Sequence, residues 1–376
     1  MDFGLTRQQE MLRDMVHQFA ETELAPRALE LDESREFPFD ILKRIAEMGL
    51  VGIITPKEYG GTDMGHVAKM IAVEEISRAY PSLAFSLEAI QGGIYTLQTY
   101  GTEEQKRKYL PPLCQGEKTS CTPATEPGGG SDPSAIQTTA ELIGDEFVVN
   151  GRKVFICFGI ADLACILAKT NGKFNTILVE KGTPGFEVTR REDYPGLRSL
   201  SFNELAFTSC RVPKANLIGH EGRGLAEALA VISIVARPTT AGVGLGVARG
   251  CYEAALRFAK ERILYGKPVG ELQAIQFALV DMNVEIEAAK WLAYYSACQI
   301  DHGKDIRQIG ADTARAKLIG SDVACRVALS AIQMMGGYGL IPEYHIVRRF
   351  KDALPLLAGS GTQEIMKVII ARSLVA

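Results

Sequence analysis

The spacing of apolar positions divides the 376-residue chain into three stretches with different periods. Over about the first 110 residues the period is helical. Thr6 and Gln9 form a T-x-x-Q capping box, and Met11, Leu12, Met15, Val16, Phe19 and Ala20 then recur on one helix face. Pro38 stands where a first-turn proline is tolerated, ahead of Ile41, Leu42, Ile45 and Met48, and Gly49 suits a C-terminal stop. Residues 56–65, with Gly60-Gly61, read as a loop. Helical pattern resumes over residues 67–80 and 84–100, and Thr102 with Gln105 offers a second capping box.

The texture changes near Pro111-Pro112. Residues 121–213 carry strand signals. Phe147-Val148-Val149 leads into Asn150-Gly151 and then Val154-Phe155-Ile156, which reads as a hairpin because Asn-Gly suits a tight turn between apolar runs. Short β-type runs follow at 166–168, 176–179, 186–188 and 205–212. The helical period returns near Gly224, with segments at 226–261, 272–300, 309–334 and 362–374. Four long helices with short connections predict a bundle. The expected fold is therefore α+β and multi-domain: an N-terminal helical domain (1–118), a middle antiparallel β-barrel (119–223) and a C-terminal four-helix bundle (224–376).

At 47% hydrophobic the chain is able to bury sizeable cores, and its net charge of −4 gives no overall attraction to nucleic acid or an anionic membrane. The eight cysteines form no CxxC pair and no Cys/His cluster with metal-ligand spacing. They read as buried free thiols of a reducing compartment, and no metal site is expected. The N-terminus lacks the basic and apolar regions of a secretory signal. No uninterrupted apolar run reaches the ~20 residues of a bilayer span. The longest candidate, residues 225–247, is broken by Glu227, Arg237 and Pro238. A cytoplasmic protein without membrane insertion is expected. Gly242-Val243-Gly244-Leu245-Gly246 lies inside a helical stretch with no strand before it, so it reads as close helix packing and not as a dinucleotide fingerprint.

Several motifs follow one another in register: Thr125-Glu126-Pro127-Gly128-Gly129-Gly130-Ser131-Asp132, Lys153-Val154-Phe155-Ile156-Cys157, Glu261-Arg262-Ile263-Leu264-Tyr265-Gly266, Leu272-Gln273-Ala274-Ile275-Gln276, Gln333-Met334-Met335-Gly336-Gly337 and Gly361-Thr362-Gln363-Glu364-Ile365. In order and spacing the chain resembles the acyl-CoA dehydrogenase family over its whole length. The resemblance implies an oxidoreductase of CH–CH bonds that binds FAD and an acyl-CoA substrate. It also implies electron exchange with an electron-transferring flavoprotein and a homotetramer.

By the same resemblance, Thr125, Gly130, Ser131, Phe155, Ile156 and Cys157 approach the flavin. Arg262, Gln273, Gln333, Gly336, Gly337, Thr362 and Glu364 serve its diphosphate and adenosine, partly across a subunit boundary. Ser131, Arg237 and Ser360 border the substrate. The family usually has Trp and Thr where Phe155 and Cys157 stand.

One departure concerns the chemistry. The family's base is a Glu directly before the Gly-Thr of the last motif, and Ser360 holds that place. Some branches carry it before the arginine matched by Arg237, where this chain has Ala236. Three explanations stand open. The base has moved to another wall, with Glu88 and Gln91 on one helix face as the candidates; that would suit a cyclic or conjugated acyl group and a 1,4-type elimination. The reaction needs no α-base, as in enoyl-CoA reduction or release of a leaving group. Or the chain is a non-catalytic binder of FAD and acyl-CoA.

Overall fold

The computed structural model describes residues 4–375. Helices α1 (Arg7–Phe19), α2 (Ala28–Ser34), α3 (Phe39–Glu47), α4 (Gly65–Ala79), α5 (Pro81–Tyr100) and α6 (Glu103–Cys114) form the N-terminal part. Both capping boxes form: Thr6 caps α1 with Gln9 reciprocating, and Thr102 caps α6 with Gln105. Pro38 is the residue before α3, and Gly49 leaves the helix at φ 75°, a conformation glycine adopts without strain. Helices α4 and α5 are buried along almost their whole length. The charged residues that α4 carries, Lys69, Glu74, Glu75 and Arg78, are therefore inside the protein.

The middle part holds β1 (Ser120–Cys121), β2 (Thr139–Ile143), β3 (Glu146–Cys157), β4 (Leu163–Thr170), β5 (Lys173–Glu180), β6 (Phe186–Arg191), β7 (Phe202–Pro213) and β8 (Leu217–Ile218). The strand order is β6-β7-β3-β2-β4-β5-β8, with β1 parallel to β4. The expected barrel is not closed: β6 and β8 end the order unpaired with each other, and β2 meets β4 through one parallel pair, Thr139 with Lys169. The expected hairpin at Asn150-Gly151 is also absent. β3 runs straight through those residues, with a bulge between Val149 and Gly151. The Asn150 carboxamide oxygen accepts from the Ser209 amide of β7 at 2.7 Å, which holds that bulge. The turn falls earlier, at Gly144-Asp145, where Ile143 pairs with Glu146. A second Asn-Gly, Asn171-Gly172, does make a hairpin, with both residues at positive φ (50° and 77°) between β4 and β5.

The C-terminal part has five helical rods where four were expected. Helices α7 (Gly224–Val231) and α8 (Arg237–Glu261) are joined by the π-turn Ile232–Ala236 into one rod. Then follow α9 (Gln273–Asp301), α10 (Ile306–Met335), α11 (Ile346–Ala358) and α12 (Gln363–Val375). The additional rod is α11, whose charged sequence and internal Pro355 hide its period. The π-turn precedes Pro238, whose missing N–H cannot continue an α-helical ladder.

Glycines let α8 and α10 approach closely. A Cβ on Gly244 would lie 2.4 Å from the Gly320 carbonyl oxygen, so the glycine run packs helices as expected. Two rods, 224–261 and 306–340, are long and apolar enough to cross a membrane by length and composition, although no unbroken apolar run suggested it. Most of the first rod's apolar window is buried within this protein.

Candidate active site

Four elements bring polar groups together around Glu88 of α5. Ser360, in the turn between α11 and α12, donates its hydroxyl to Glu88 Oε1 at 3.2 Å. Thr240 of α8 lies with its Oγ1 2.8 Å from Ser360 Oγ. Cys157, the last residue of β3, directs its thiol to the Phe85 carbonyl at 4.0 Å and lies close enough to Glu88 for the two to influence each other. Lys69 of α4 supplies a nearby positive charge, and its Nζ donates to the Val235 carbonyl of the π-turn at 3.2 Å. The position that the resemblance gives to the base and the carboxylate of Glu88 are thus neighbours: Ser360 occupies the one and touches the other.

Burial sets the electrostatics. Surrounding protein pushes the Glu88 carboxyl up to about 7, while the Ser360 hydroxyl, the Lys69 charge and the Cys157 thiol pull the other way. Burial pushes Lys69 down to about 7, with Glu88 opposing. The neighbouring His66 is driven to about 3 by burial and by Lys69. The Cys157 thiol is raised well above its ordinary value, first by burial and then by Glu88. It is a neutral thiol and not a nucleophilic thiolate. A carboxyl group balanced near neutrality is suited to taking or giving a proton.

Arg237 is 5% exposed, donates to Ser233 Oγ at 2.9 Å, and keeps its Nε without a partner. Burial lowers it to about 10. Among the described residues no carboxylate pairs with it. It is an oriented buried cation at the start of α8, the kind of group that a carbonyl or phosphate oxygen satisfies.

Gln91, expected to share Glu88's face, points elsewhere. Its amide donates to the Leu50 carbonyl at 3.1 Å and ties α5 to the loop after α3. It is 1% exposed, and we drop it from the proposed machinery.

The segments expected to approach a flavin meet around β3. The Val154 amide donates to the Thr125 carbonyl at 3.0 Å, which joins the glycine-rich loop to the strand. Lys153, fully buried, donates to Glu126 Oε1 at 2.8 Å and to the Leu167 carbonyl at 2.7 Å. Glu126 also accepts the Gln137 and Thr138 amides. The motif residues Lys153 and Glu126 therefore anchor this loop from inside.

The register between β3 and β7 shifts between Lys153 and Ile156. Phe155 stands in that irregularity at φ 58° and leaves its ring 55% exposed, while Ile156 is buried. The backbone at Gly128 and Gly129 faces open space, Gly130 packs on Thr125, and Ser131 is exposed.

A second group lies at the surface of the C-terminal part. Arg262 is exposed and stacks over the Tyr338 ring, 5.4 Å from its centroid. Gln333, Gly336 and Gly337 are exposed at the end of α10, and both glycines border open space. Gln273 is exposed at the start of α9. Thr362 accepts the Ile365 amide at 3.3 Å and so caps α12, whose first turn carries the exposed Glu364.

These residues fit an extended flavin dinucleotide. Phe155 offers a ring face, the glycine segments offer uncovered backbone, and Arg262 offers a fork for diphosphate oxygens. Sequence reasoning missed Lys69, Thr240 and Lys317. The last, also fully buried, donates to the Leu357 and Gly361 carbonyls at 3.0 and 2.7 Å on either side of Ser360. The available signal was a lysine inside an apolar helical run, in Val67-Ala68-Lys69-Met70-Ile71 and in Ala316-Lys317-Leu318-Ile319.

Comparison with known proteins agrees with this arrangement. Family models for the acyl-CoA dehydrogenase N-terminal, middle and C-terminal domains match residues 6–117, 121–210 and 222–375. An acryloyl-CoA reductase (NADH) of Anaerotignum propionicum is 40% identical, over 99% of this chain and 95% of its own. A cyclohex-1-ene-1-carbonyl-CoA dehydrogenase of Syntrophus aciditrophicus is 38% identical, over 98% of this chain and 90% of its own. A solved chain from the structural description of the electron transferring flavoprotein of Acidaminococcus fermentans superposes with TM-score 0.97 at 37% identity, covering all of both chains. A helical–β–helical chain with these motifs and these matches along its length belongs to the acyl-CoA dehydrogenase family, whose members are FAD-dependent oxidoreductases of CH–CH bonds.

Proposed function

We propose that this chain oxidises or reduces a cyclic or conjugated acyl-CoA thioester with Glu88 as its proton-transferring group. The single observation that carries the reading is the hydrogen bond from Ser360, at the family's usual base position, to Glu88 on α5. Bound FAD supplies a two-electron partner that accepts or returns a hydride.

Glu88 projects from α5 and not from residue 360, so it serves a carbon further along the acyl group. In the oxidative direction Glu88 takes a proton from a γ carbon conjugated to the thioester through a double bond. The hydride departs from the other ring carbon bonded to the α carbon, so proton and hydride leave the two ends of a four-carbon unit, a 1,4-type elimination that leaves one more double bond. Arg237, a buried cation without a carboxylate partner, is suited to an oxygen of the substrate. Phe155 and the glycine-rich loop offer an exposed ring face and open backbone that a bound flavin and thioester would cover. In the reductive direction the protonated Glu88 gives its proton back, which accommodates an enoyl thioester as the alternative substrate. The 38% identical cyclohexenyl-CoA relative supports the first direction and the acryloyl-CoA relative the second.

Electron exchange with an electron-transferring flavoprotein is proposed on the family likeness and on the 37% identical solved chain. A tetramer is proposed as well. The apolar face of α9, with Phe277, Val280 and Val284 each more than half exposed, supports self-association.

The test is spectroscopic. FAD-loaded protein mixed with cyclohex-1-ene-1-carbonyl-CoA should lose its flavin absorbance, and Glu88→Gln should keep its flavin and lose the bleaching. Bleaching at an unchanged rate in Glu88→Gln rejects Glu88. Yellow protein that no CoA thioester bleaches favours a non-catalytic binder.

A further inference from the structure

The hydroxyl pair beside Glu88 has a defined direction. A charged Glu88 only accepts hydrogen bonds, so the proton between Ser360 and Glu88 belongs to Ser360. The Ser360 oxygen, having given its one proton, is free only to accept. Thr240 has one hydroxyl proton and two acceptors within reach: the Ala236 carbonyl at 3.0 Å, to which it donates one helical turn back, and the Ser360 oxygen at 2.8 Å. We infer that Thr240 is a positioning residue: when Glu88 is charged its hydroxyl turns from the Ala236 carbonyl to Ser360 and aims the Ser360 proton at Glu88, which favours the charged carboxylate inside the pocket. This rests on the reading of Glu88 as the proton-transferring group, and it adds a residue that no motif singled out.

The surroundings favour a fixed relay. Ser360 sits at φ 58°, a conformation costly for a side-chain-bearing residue, so neighbouring groups must hold it. Lys317 does so by binding the carbonyls of Leu357 and Gly361 on both sides. Thr240 is fully buried on the rigid rod of α8. The other groups acting on Glu88 are Lys69 from α4 and Cys157 from β3. Lys69 is itself bound to the Val235 carbonyl. Arg237 on α8 acts on Lys317 of α10. The hydroxyl relay is thus a neutral contribution to the carboxylate, larger than that of the Cys157 thiol and separable from the Lys69 charge.

The experiment reads Glu88 directly. FAD-loaded protein without substrate is titrated by infrared difference spectroscopy, following the stretch of the protonated carboxyl that Glu88→Gln removes. Ser360→Ala deletes the bond to the charged form and should raise the midpoint by about one pH unit. Thr240→Val, equal in shape but without the hydroxyl, should raise it by about half a unit, because it acts through Ser360. Thr240→Ser keeps the hydroxyl and should restore the wild-type midpoint. The acid limb of kcat/KM for cyclohex-1-ene-1-carbonyl-CoA should move in parallel.

A Thr240→Val protein with normal FAD content and an unmoved midpoint overturns the relay. Should Thr240→Val not fold, Thr240→Ala is read against the same two outcomes. Turnover surviving in Glu88→Gln while the midpoints still shift would reject the catalytic reading and leave the relay standing. Lost turnover with unmoved midpoints would do the reverse.

Discussion

Replacing Glu88 by glutamine should inactivate the protein and stabilise it at the same time. The shape and the acceptor for Ser360 remain, while the ability to ionise is lost. In the folded chain the carboxyl titrates near 7 against an ordinary 4.5. The folded protein therefore holds this proton more tightly than the unfolded chain. Between those values unfolding releases a proton, and stability falls as the pH rises through the window. A shift of 7 minus 4.5, or 2.5 units, sets a ceiling of about 3 kcal/mol at 1.36 kcal/mol per unit. Two effects reduce it. Glu88 keeps some exposure, and Lys69 loses its counter-charge in the variant. We expect a net gain on the order of 2 kcal/mol at pH 8, shrinking towards zero near pH 4.5. The assay is thermal unfolding of wild type and Glu88→Gln at equal protein and FAD concentration, at pH 5 and pH 8. The variant should melt ~2–5 °C higher at pH 8 and nearly with wild type at pH 5. A difference of the same size at both pH values would refute the burial argument, because a carboxyl of ordinary pKa is already ionised in both states at pH 5.5 and above.

Three other outcomes follow from the geometry. In a Glu88→Gln background, Ser360→Glu puts a carboxylate back at the family's position and should let butyryl-CoA bleach the flavin by ordinary α,β-dehydrogenation; absence of bleaching in an FAD-loaded double variant would show that residue 360 does not reach the α carbon. Lys153→Met leaves Glu126 charged and unpaired inside the protein, which should cost about 3–5 kcal/mol and loosen FAD, measured by urea unfolding and by flavin retention on gel filtration. Gly244→Ala places a methyl 2.4 Å from the Gly320 carbonyl and should cost about 1–3 kcal/mol by forcing α8 from α10, read as a lower melting temperature.

What could be read from the sequence, and what could not, divides along the range of the interactions involved. Capping boxes at Thr6 and Thr102 formed because their donors and acceptors lie three residues apart, so no distant contact competes. The two Asn-Gly pairs show where local signals end. Asn171-Gly172 turns the chain, whereas Asn150-Gly151 stays in strand opposite a bulge of β7, where the Asn150 side chain accepts the Ser209 amide. Closure of the sheet likewise depends on β6 finding β8, which no run of residues encodes. Glu88 was visible as a helical carboxylate, and Gln91 was its plausible companion by spacing. Their separation was set by the Leu50 carbonyl, supplied from 41 residues away.

The site's remaining members were hidden for one physical reason. A buried lysine or threonine is indistinguishable in sequence from a solvated one until its partners are known, and here the partners are backbone carbonyls. Lys69 binds Val235 in a π-turn, and Lys317 binds the two carbonyls that flank Ser360. These irregular segments leave carbonyls aimed at side chains instead of at their own helices. Carbonyl partners satisfy the N–H donors of these lysines, while burial still pulls Lys69 down to about 7 and Lys317 to about 8. Glu88 is consequently the one carboxylate among the described residues that Ser360 and Lys69 both address, and loss of the family's glutamate at 360 leaves room for a hydroxyl that serves it. On the proposed reading, the carbon that loses its proton is set by α5 instead of residue 360, a difference carried by two side chains that touch each other.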